Sequence, residues 1–409
     1  MSPGPARVLL VANGVPPHRL GGAELVAWRI ARILAASGFE AALLAVDDAP
    51  EAQLGVLERR ERDGVALYSL GTRRGLDEHP RAHEAMSRVL GLWRPDAVWV
   101  HHPSGLGLEA IEVAAGDGPP LAVTLHDYGW FCPRGQLMDT AGRPCAGPAA
   151  DRCPGCLAPG APRPLQSTAR AVTAHWWADR QARARALLIG AALRTAPSRH
   201  VVGRYQDWLG VDVQWLPNPA PTVRRLPAQA RSGPVRVGYF GTLLPSKGVE
   251  VLVRAARRVG PGRIALELHG PLPAGPQWRR WRRQLRRLAV AANVRWAGPY
   301  GAEELDRRMG GVEIVAVPSL WEENAPLVID EARAAGRPVL ASAVGGLGER
   351  LDHPALDLLL PAGDVESWAA ALADTAGLRR RSGMALTRPS EDPRDDPDFG
   401  QVVRRLTGR

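Results

Sequence analysis

Apolar residues in this chain arrive in short unbroken runs separated by amphipathic stretches, a grammar that predicts strands alternating with helices. ARVLLVAN (6–13) is continuous enough for a strand buried on both faces. After GVPPHRLGG, the apolar residues Val26, Ile30, Ile33 and Leu34 recur at i, i+4, i+7 and i+8, with Gly38 as the stop. EAALLAV, AVWVH (97–101), LAVTL (121–125) and LRTAPS (193–198) continue the series. Residues 217–234, PNPAPTVRRLPAQARSGP, are dense in proline and aperiodic, which predicts a linker. A second series follows: VRVGYFG, RIALELHG, NVRWAG, VEIVAVP, PVLAS and DLLL. The pattern predicts two doubly wound α/β domains, 1–216 and 235–385, then a polar tail, 386–409, carrying a short helix at FGQVVRRL. Two such domains are expected to leave a cleft where strand C-termini and helix N-termini face a shared ligand.

Composition narrows the partners without choosing one. With 409 residues, 45% apolar and 23% charged, the chain reads as a globular protein in water. A net charge of +10 suits nucleic acid, anionic lipid or phosphorylated ligands. No run of 18 apolar residues occurs, and MSPGPARVLLVANGV lacks a basic leader and a cleavage site. The expectation is a cytoplasmic protein, at most peripheral on the inner face of the membrane.

One cation stands out. Lys247, in GTLLPSKG (241–248), is the only lysine among 52 Lys and Arg residues. Arg and Lys differ most where a compact point charge must approach an anion, so Lys247 is expected to meet a phosphate. Backbone N–H groups near Gly241 and Gly248 would join it. The spacing is not that of a P-loop, whose lysine precedes Ser or Thr. Downstream lies PSLWEENAPLVIDEARAAGRPVLAS (318–342), where Asn324 is expected to cap a helix, Pro326 to lie in its first turn and Gly336 to end it. A helix that opens in a cleft is an anion site. Glu323 and Glu331, eight residues apart, would hold hydroxyls on two sides of the bound phosphate; taken alone, two solvated acids is the plainer reading.

Cys132, Cys145, Cys153 and Cys156 follow the spacing C-x12-C-x7-C-x2-C within a Gly- and Pro-rich stretch. Structural zinc leads free thiols and an iron–sulfur cluster as the explanation. For Trp130 and Phe131, packing leads stacking on a sugar. The basic helix WRRWRRQLRRLA (278–289) is expected to dock through Trp278, Trp281, Leu285 and Leu288 with its arginines in water, ahead of contact with anionic lipid. HWWADRQARARALL (175–188) raises the same question. Asp396 and Asp398 read as solvated acids in a proline-broken tail.

An ordered set of motifs carries a resemblance over nearly the whole chain: PPHRLGGAE, TLHDYGWFCPR, APSRHV, GTLLPSKG, the Glu323 to Glu331 spacing, GRPVLASAVGGLGE and PAGD. The sequence resembles the retaining glycosyltransferases of family four, which have the GT-B fold. The resemblance implies a nucleotide-sugar donor, UDP ahead of GDP, held mainly by the second domain, and a glycan, lipid-linked or small-molecule acceptor. It implies Lys247 on the donor diphosphate, Glu331 on the ribose and Glu323 on sugar hydroxyls. The backbone from Asn324 through Ala325 and Pro326 to Leu327 would meet the phosphates, with Gly241 and Thr242 beside them. Gly21 and Gly22 match the family's glycine loop, and His126 the histidine that contacts the transferred sugar. Thr242 departs from members with arginine there; Arg199 is a distant substitute. No cofactor is implied for catalysis. A nucleotide-sugar epimerase or phosphorylase of the same architecture is the alternative, followed by a basic zinc-stabilised nucleic-acid-binding protein.

Overall fold

The computed structural model describes residues 4–14, 21–73, 79–116, 118–158, 166–225, 232–351, 353–387 and 397–409. Residues 16–20 of PPHRLGGAE, and Asp396, lie outside them. Contacts divide the chain into two compact units: unit 1, Met1–Thr140, Cys145–Pro219 and Asp396–Arg409; unit 2, Ala141–Pro144 and Ala220–Asp395.

Unit 1 is built on β1 (Arg7–Val11), β2 (Glu40–Asp47), β3 (Leu57–Arg62), β4 (Val65–Gly71), β5 (Ala97–Val100), β6 (Leu121–Thr124), β7 (Leu193–Ala196) and β8 (Gln214–Trp215). They lie in the order β3-β4-β2-β1-β5-β6-β7-β8. Among the described residues every pairing is parallel except β3 on β4. The buried members are continuous apolar runs because helices cover both faces. The β3–β4 hairpin and β8 have no counterpart in the sequence expectations: LERRER shows no apolar alternation because β3 is an edge strand whose charges face water.

The helix Phe399–Thr407 at the far end of the chain belongs to unit 1. Phe399, Val402 and Val403 are buried, and Phe399 lies 6.3 Å from Trp99 of β5. Burying side chains of this size contributes about 1.5–3 kcal/mol each. Asp398, read from sequence as a solvated acid, caps this helix by accepting from Gln401 N–H at 3.0 Å.

Unit 2 carries β9 (Val235–Phe240), β10 (Ile264–His269), β11 (Arg295–Gly298), β12 (Ile314–Val317), β13 (Val339–Ser342) and β14 (Leu358–Leu360). Their order is β11-β10-β9-β12-β13-β14 and all pairings are parallel. The order reverses direction between β9 and β12, and such a switch point opens a crevice beyond the strand C-termini. Lys247 follows β9 and Glu323 follows β12. The basic helix Arg279–Ala291 docks through three of the four residues expected: Leu285 is buried in the unit 2 core and Trp281 and Leu288 pack against it, whereas Trp278 lies in the turn before the helix, edge-on to Trp281 at 6.3 Å. Its Arg282 donates to the carbonyls of Pro273 and Gly275. Among the described residues, no helix is long and apolar enough to cross a membrane.

Candidate active site

In unit 2 the chain leaving β9 turns through Gly241 and Thr242 into a 3-10 turn, Pro245–Lys247, and then into the helix Val249–Val259. Gly241 N–H donates to His269 O at 2.9 Å, and Tyr239 OH donates to the Thr242 carbonyl at 2.8 Å, so the start of this loop is tied to the sheet. Gly248 sits at φ +68°, and a Cβ there would lie 1.7 Å from the Pro318 carbonyl oxygen. That close approach is open to glycine alone. Leu320 N–H donates to Ser246 O at 2.8 Å. The loops after β9 and β12 are thereby locked together.

The lock brings Lys247 Nζ to 2.6 Å from Glu323 Oε1, where Ser319 Oγ also donates at 2.6 Å. The ammonium lies 5.1 Å from the centre of the Trp321 ring. Glu323 is buried. Its backbone is braced by the loop after β13: Gly346 N–H donates to Glu323 O at 2.7 Å, and Gly345 fits at φ +55° because a Cβ would come within 2.4 Å of that oxygen. Ser319, Trp321 and Gly345 were not singled out from the sequence. The GG pair in AVGGLGE was the available signal for the last.

The helix of this segment is Leu327–Ala334, and its N-cap is Pro326 in extended backbone, with no side-chain cap. This corrects two expectations: the N-cap position is Pro326 rather than Asn324, and Pro326 precedes the first turn. Asn324 and Ala325 are instead buried in the approach loop. Pro326 lacks an N–H, and its fixed φ sets the entry angle without a side-chain cap. Gly336, at φ +68°, follows the helix end. Glu331 is buried on the helix. Burial, with Glu331's charge adding, pushes the Tyr300 phenol well above its ordinary value. Tyr300 packs edge-on to Phe240, which stacks on His269 at 4.3 Å.

In unit 1 the switch point lies between β1 and β5. The helix Gly22–Ala36 starts with Gly21 as its N-cap. A Cβ at Gly21 would collide with the Glu24 carboxylate, whereas Gly22 faces open space. Beyond β5 and β6 come His101, His102, His126 and Asp127. His101 Nδ1 and His126 Nε2 are 2.9 Å apart, with the rings stacked at 5.2 Å. Burial pushes His101 down to about 3. It pushes His126 well below its ordinary value too, with His101 and His102 adding to the effect. Both rings are therefore neutral, and one ring N–H serves the other. His102 Nε2 is 3.1 Å from Asp127 Oδ2, and Gly129 N–H donates to Asp127 Oδ1 at 2.7 Å. Burial raises the Asp127 carboxyl, but His102 and that N–H outweigh it and hold the group below its ordinary value. The sequence reading singled out His126 and not the three residues placed beside it; the signal for them was polar doublets, HH and HD, directly after two apolar strands.

The loop beyond His126 is held from the helix Gln166–Gly190. Arg180 donates to the carbonyls of Trp130 and Gly129, both at 2.6 Å, and Gln181 to that of Phe131 at 2.7 Å. Trp130 and Phe131 are buried, Phe131 against Tyr205 and Trp208, in keeping with packing. Arg199, also in unit 1, stacks over Trp215 at 4.4 Å. Cys132, Cys145, Cys153 and Cys156 are all half-buried free thiols.

Comparisons with known proteins join these observations. A model described as Glycosyl transferases group 1 matches residues 234–376, and one described as Glycosyltransferase Family 4 matches residues 20–224. The D-inositol 3-phosphate glycosyltransferase of Mycobacteroides abscessus is 36% identical over 153 residues, 37% of this chain and 33% of that protein. The chain thus spans about a third of the length of that curated relative. Sucrose-phosphate synthase from Thermosynechococcus elongatus superposes with TM-score 0.72 at 19% identity, covering 98% of this chain and 99% of that one. Anabaena HepE in complex with UDP and glucose superposes with TM-score 0.64 at 16% identity, over 99% and 100%. With half of its length matched by the family model and two parallel α/β units of the GT-B kind, the chain belongs to glycosyltransferase family 4.

Proposed function

We propose that the protein moves a sugar from a nucleotide diphosphate, UDP ahead of GDP, to a hydroxyl of a glycan, lipid-linked or small-molecule acceptor, with retention and without a metal at the reacting centre. The observation that carries this reading is the cluster at the unit 2 switch point. A solitary ammonium is fixed 2.6 Å from Glu323, with buried Glu331 on the helix that follows. An ammonium has three donors, and Glu323 takes one, which leaves the others for diphosphate oxygens. Backbone from Asn324 to Leu327 enters that helix and would supply N–H groups to the phosphates, Pro326 excepted. Glu331 would hold the ribose, and Glu323, through Oε2, a sugar hydroxyl.

Leaving-group stabilisation then supplies most of the rate. Negative charge grows on the departing diphosphate beside Lys247, and fixed donors need no reorganisation to meet it. That oxygen would take the acceptor's proton as the hydroxyl attacks from the same face. His126, kept neutral by burial, would donate to or accept from the transferred sugar without placing a second positive charge beside an oxocarbenium-like centre. The complex of HepE with UDP and glucose supports a UDP donor. Similarity to the D-inositol 3-phosphate glycosyltransferase of Mycobacteroides abscessus makes D-inositol 3-phosphate the first acceptor to assay.

Thermal shift with UDP, GDP and ADP tests the reading. A ligand of the folded state raises the melting temperature by mass action, about 2.7 kcal/mol at a hundred times Kd. UDP is expected to give the largest shift, and Lys247→Ala and Glu331→Ala to abolish it. No shift with any of the three, or an undiminished shift in Lys247→Ala, would overturn the assignment.

A further inference from the structure

We propose that Cys132, Cys145, Cys153 and Cys156 bind one zinc ion as four thiolates, and that this ion fixes the segment 132–156 beside the His126–Asp127 loop. From 139 to 153 a single residue, Gly147, is buried, so hydrophobic packing contributes little there. None of the four cysteines is in a disulfide. Something other than a core or a covalent bridge must hold this stretch.

Local turns already form at these cysteines. Cys132 opens a tight Cys-Pro-Arg-Gly turn, in which Gly135 N–H donates to the Cys132 carbonyl at 2.7 Å and Gly135 has φ +74°. Ala149 N–H points at Cys153 Sγ from 3.2 Å. A neutral thiol is a weak acceptor, and a thiolate takes such an N–H more strongly. Cys153 starts the short helix Cys153–Leu157 and Cys156 stands three residues on, which puts the pair on one face. The three other thiols all lie close enough to Cys153 to act on it electrostatically. Cys145 N–H is tied to Leu137 O at 2.7 Å, which carries the second cysteine back toward the first turn.

Among the described residues no three His, Cys, Asp or Glu side chains are yet arranged to hold a metal ion. The four sulfurs must therefore draw in to about 3.8 Å of one another, the separation set by zinc–sulfur bonds of about 2.3 Å in a tetrahedron. A stretch with so little packing opposes that movement weakly. Binding releases four thiol protons to solvent and leaves a site of charge −2, which the Ala149 N–H on Cys153 Sγ offsets in part. No redox partner is involved.

The test uses the full chain as purified. Metal analysis is expected to find about one zinc per chain. The four thiols should be silent to a disulfide reagent under native conditions, and an organomercurial should release one zinc for every four cysteines it caps. Cobalt(II) in place of zinc should give the visible bands of a tetrahedral thiolate site. Cys153→Ser with Cys156→Ser should lose the zinc and speed tryptic cleavage after Arg152 at least tenfold. The nucleotide thermal shift of unit 2 should survive, so failure here and failure of the donor assignment are separable. Four thiols that react at once in metal-free protein would overturn the proposal. So would iron with acid-labile sulfide, zinc retained by the double variant, or zinc removed by mild chelation without unmasking thiols.

Discussion

Removing the ammonium at position 247 is expected to weaken unit 2 even before any ligand is added. Lys247 Nζ is 2.6 Å from Glu323 Oε1; the glutamate side chain is 4% exposed and the lysine 27%. At that distance, with an effective dielectric of about 20, the gross attraction is about 6 kcal/mol. Dehydrating Glu323 takes much of that back. Lys247→Met keeps the aliphatic stem and leaves the carboxylate with the Ser319 hydroxyl as its remaining close donor. Breaking a fully buried pair costs about 3–5 kcal/mol. Because Lys247 reaches water and a stranded carboxylate can take up a proton, about 2 kcal/mol is expected here. Glu323→Gln removes the charge that needed compensation and should cost about 1 kcal/mol. The double variant should also cost about 1 rather than 3 kcal/mol, a coupling of about 2 kcal/mol. Urea titrations read by hydrogen exchange of peptides spanning 235–251 and 314–342 isolate unit 2. The double variant should still fail to bind UDP, which separates the stability of the pair from its use. A Lys247→Met variant within about 0.5 kcal/mol of the parent, with strictly additive effects, would refute the reasoning.

Three further outcomes follow from single contacts. Gly345→Ala places a Cβ 2.4 Å from Glu323 O at φ +55°, so it should weaken UDP binding at least tenfold by calorimetry; unchanged affinity would show that the brace is dispensable. His126→Ala should spare the UDP thermal shift and lower turnover at least tenfold with any accepted donor, and equal turnover would remove His126 from the site. Folding holds His101 neutral down to about 3, whereas an unfolded imidazole protonates below about 6.5. The folded value is the lower one, so this contribution is intact above about pH 6.5 and is lost progressively as pH falls toward 3. With His126 shifted the same way and Asp127 paired to His102, unit 1 should weaken through that window. His101→Phe should flatten the slope of the urea midpoint against pH, and an unchanged slope would contradict it.

What the sequence disclosed and what it withheld divide along a physical line. All six unit 2 strands and the Gly22–Ala36 helix were legible because burial on a sheet or a helix face writes a period into the chain. Lys247 stood out as the one lysine of an arginine-rich chain, and Glu323 and Glu331 as two acids eight residues apart, one before a helix and one within it. The contacts that position them were not. Nothing about GGLGE says that its first glycine presses on the backbone of Glu323, and nothing about PSK says that its serine carbonyl accepts from Leu320. The arginines of HWWADRQARARALL show the limit most plainly. An arginine in water and one that holds two carbonyls look alike in sequence, since a carbonyl belongs to every residue and leaves no letter. Arg180 was expected on a solvated or lipid-facing surface, yet it is buried and clamps Gly129 and Trp130, two and three residues past Asp127. A basic stripe is therefore weak support for a membrane surface in this fold until its guanidinium donors have been traced, because each one spent on backbone fixes a loop and is unavailable to a headgroup.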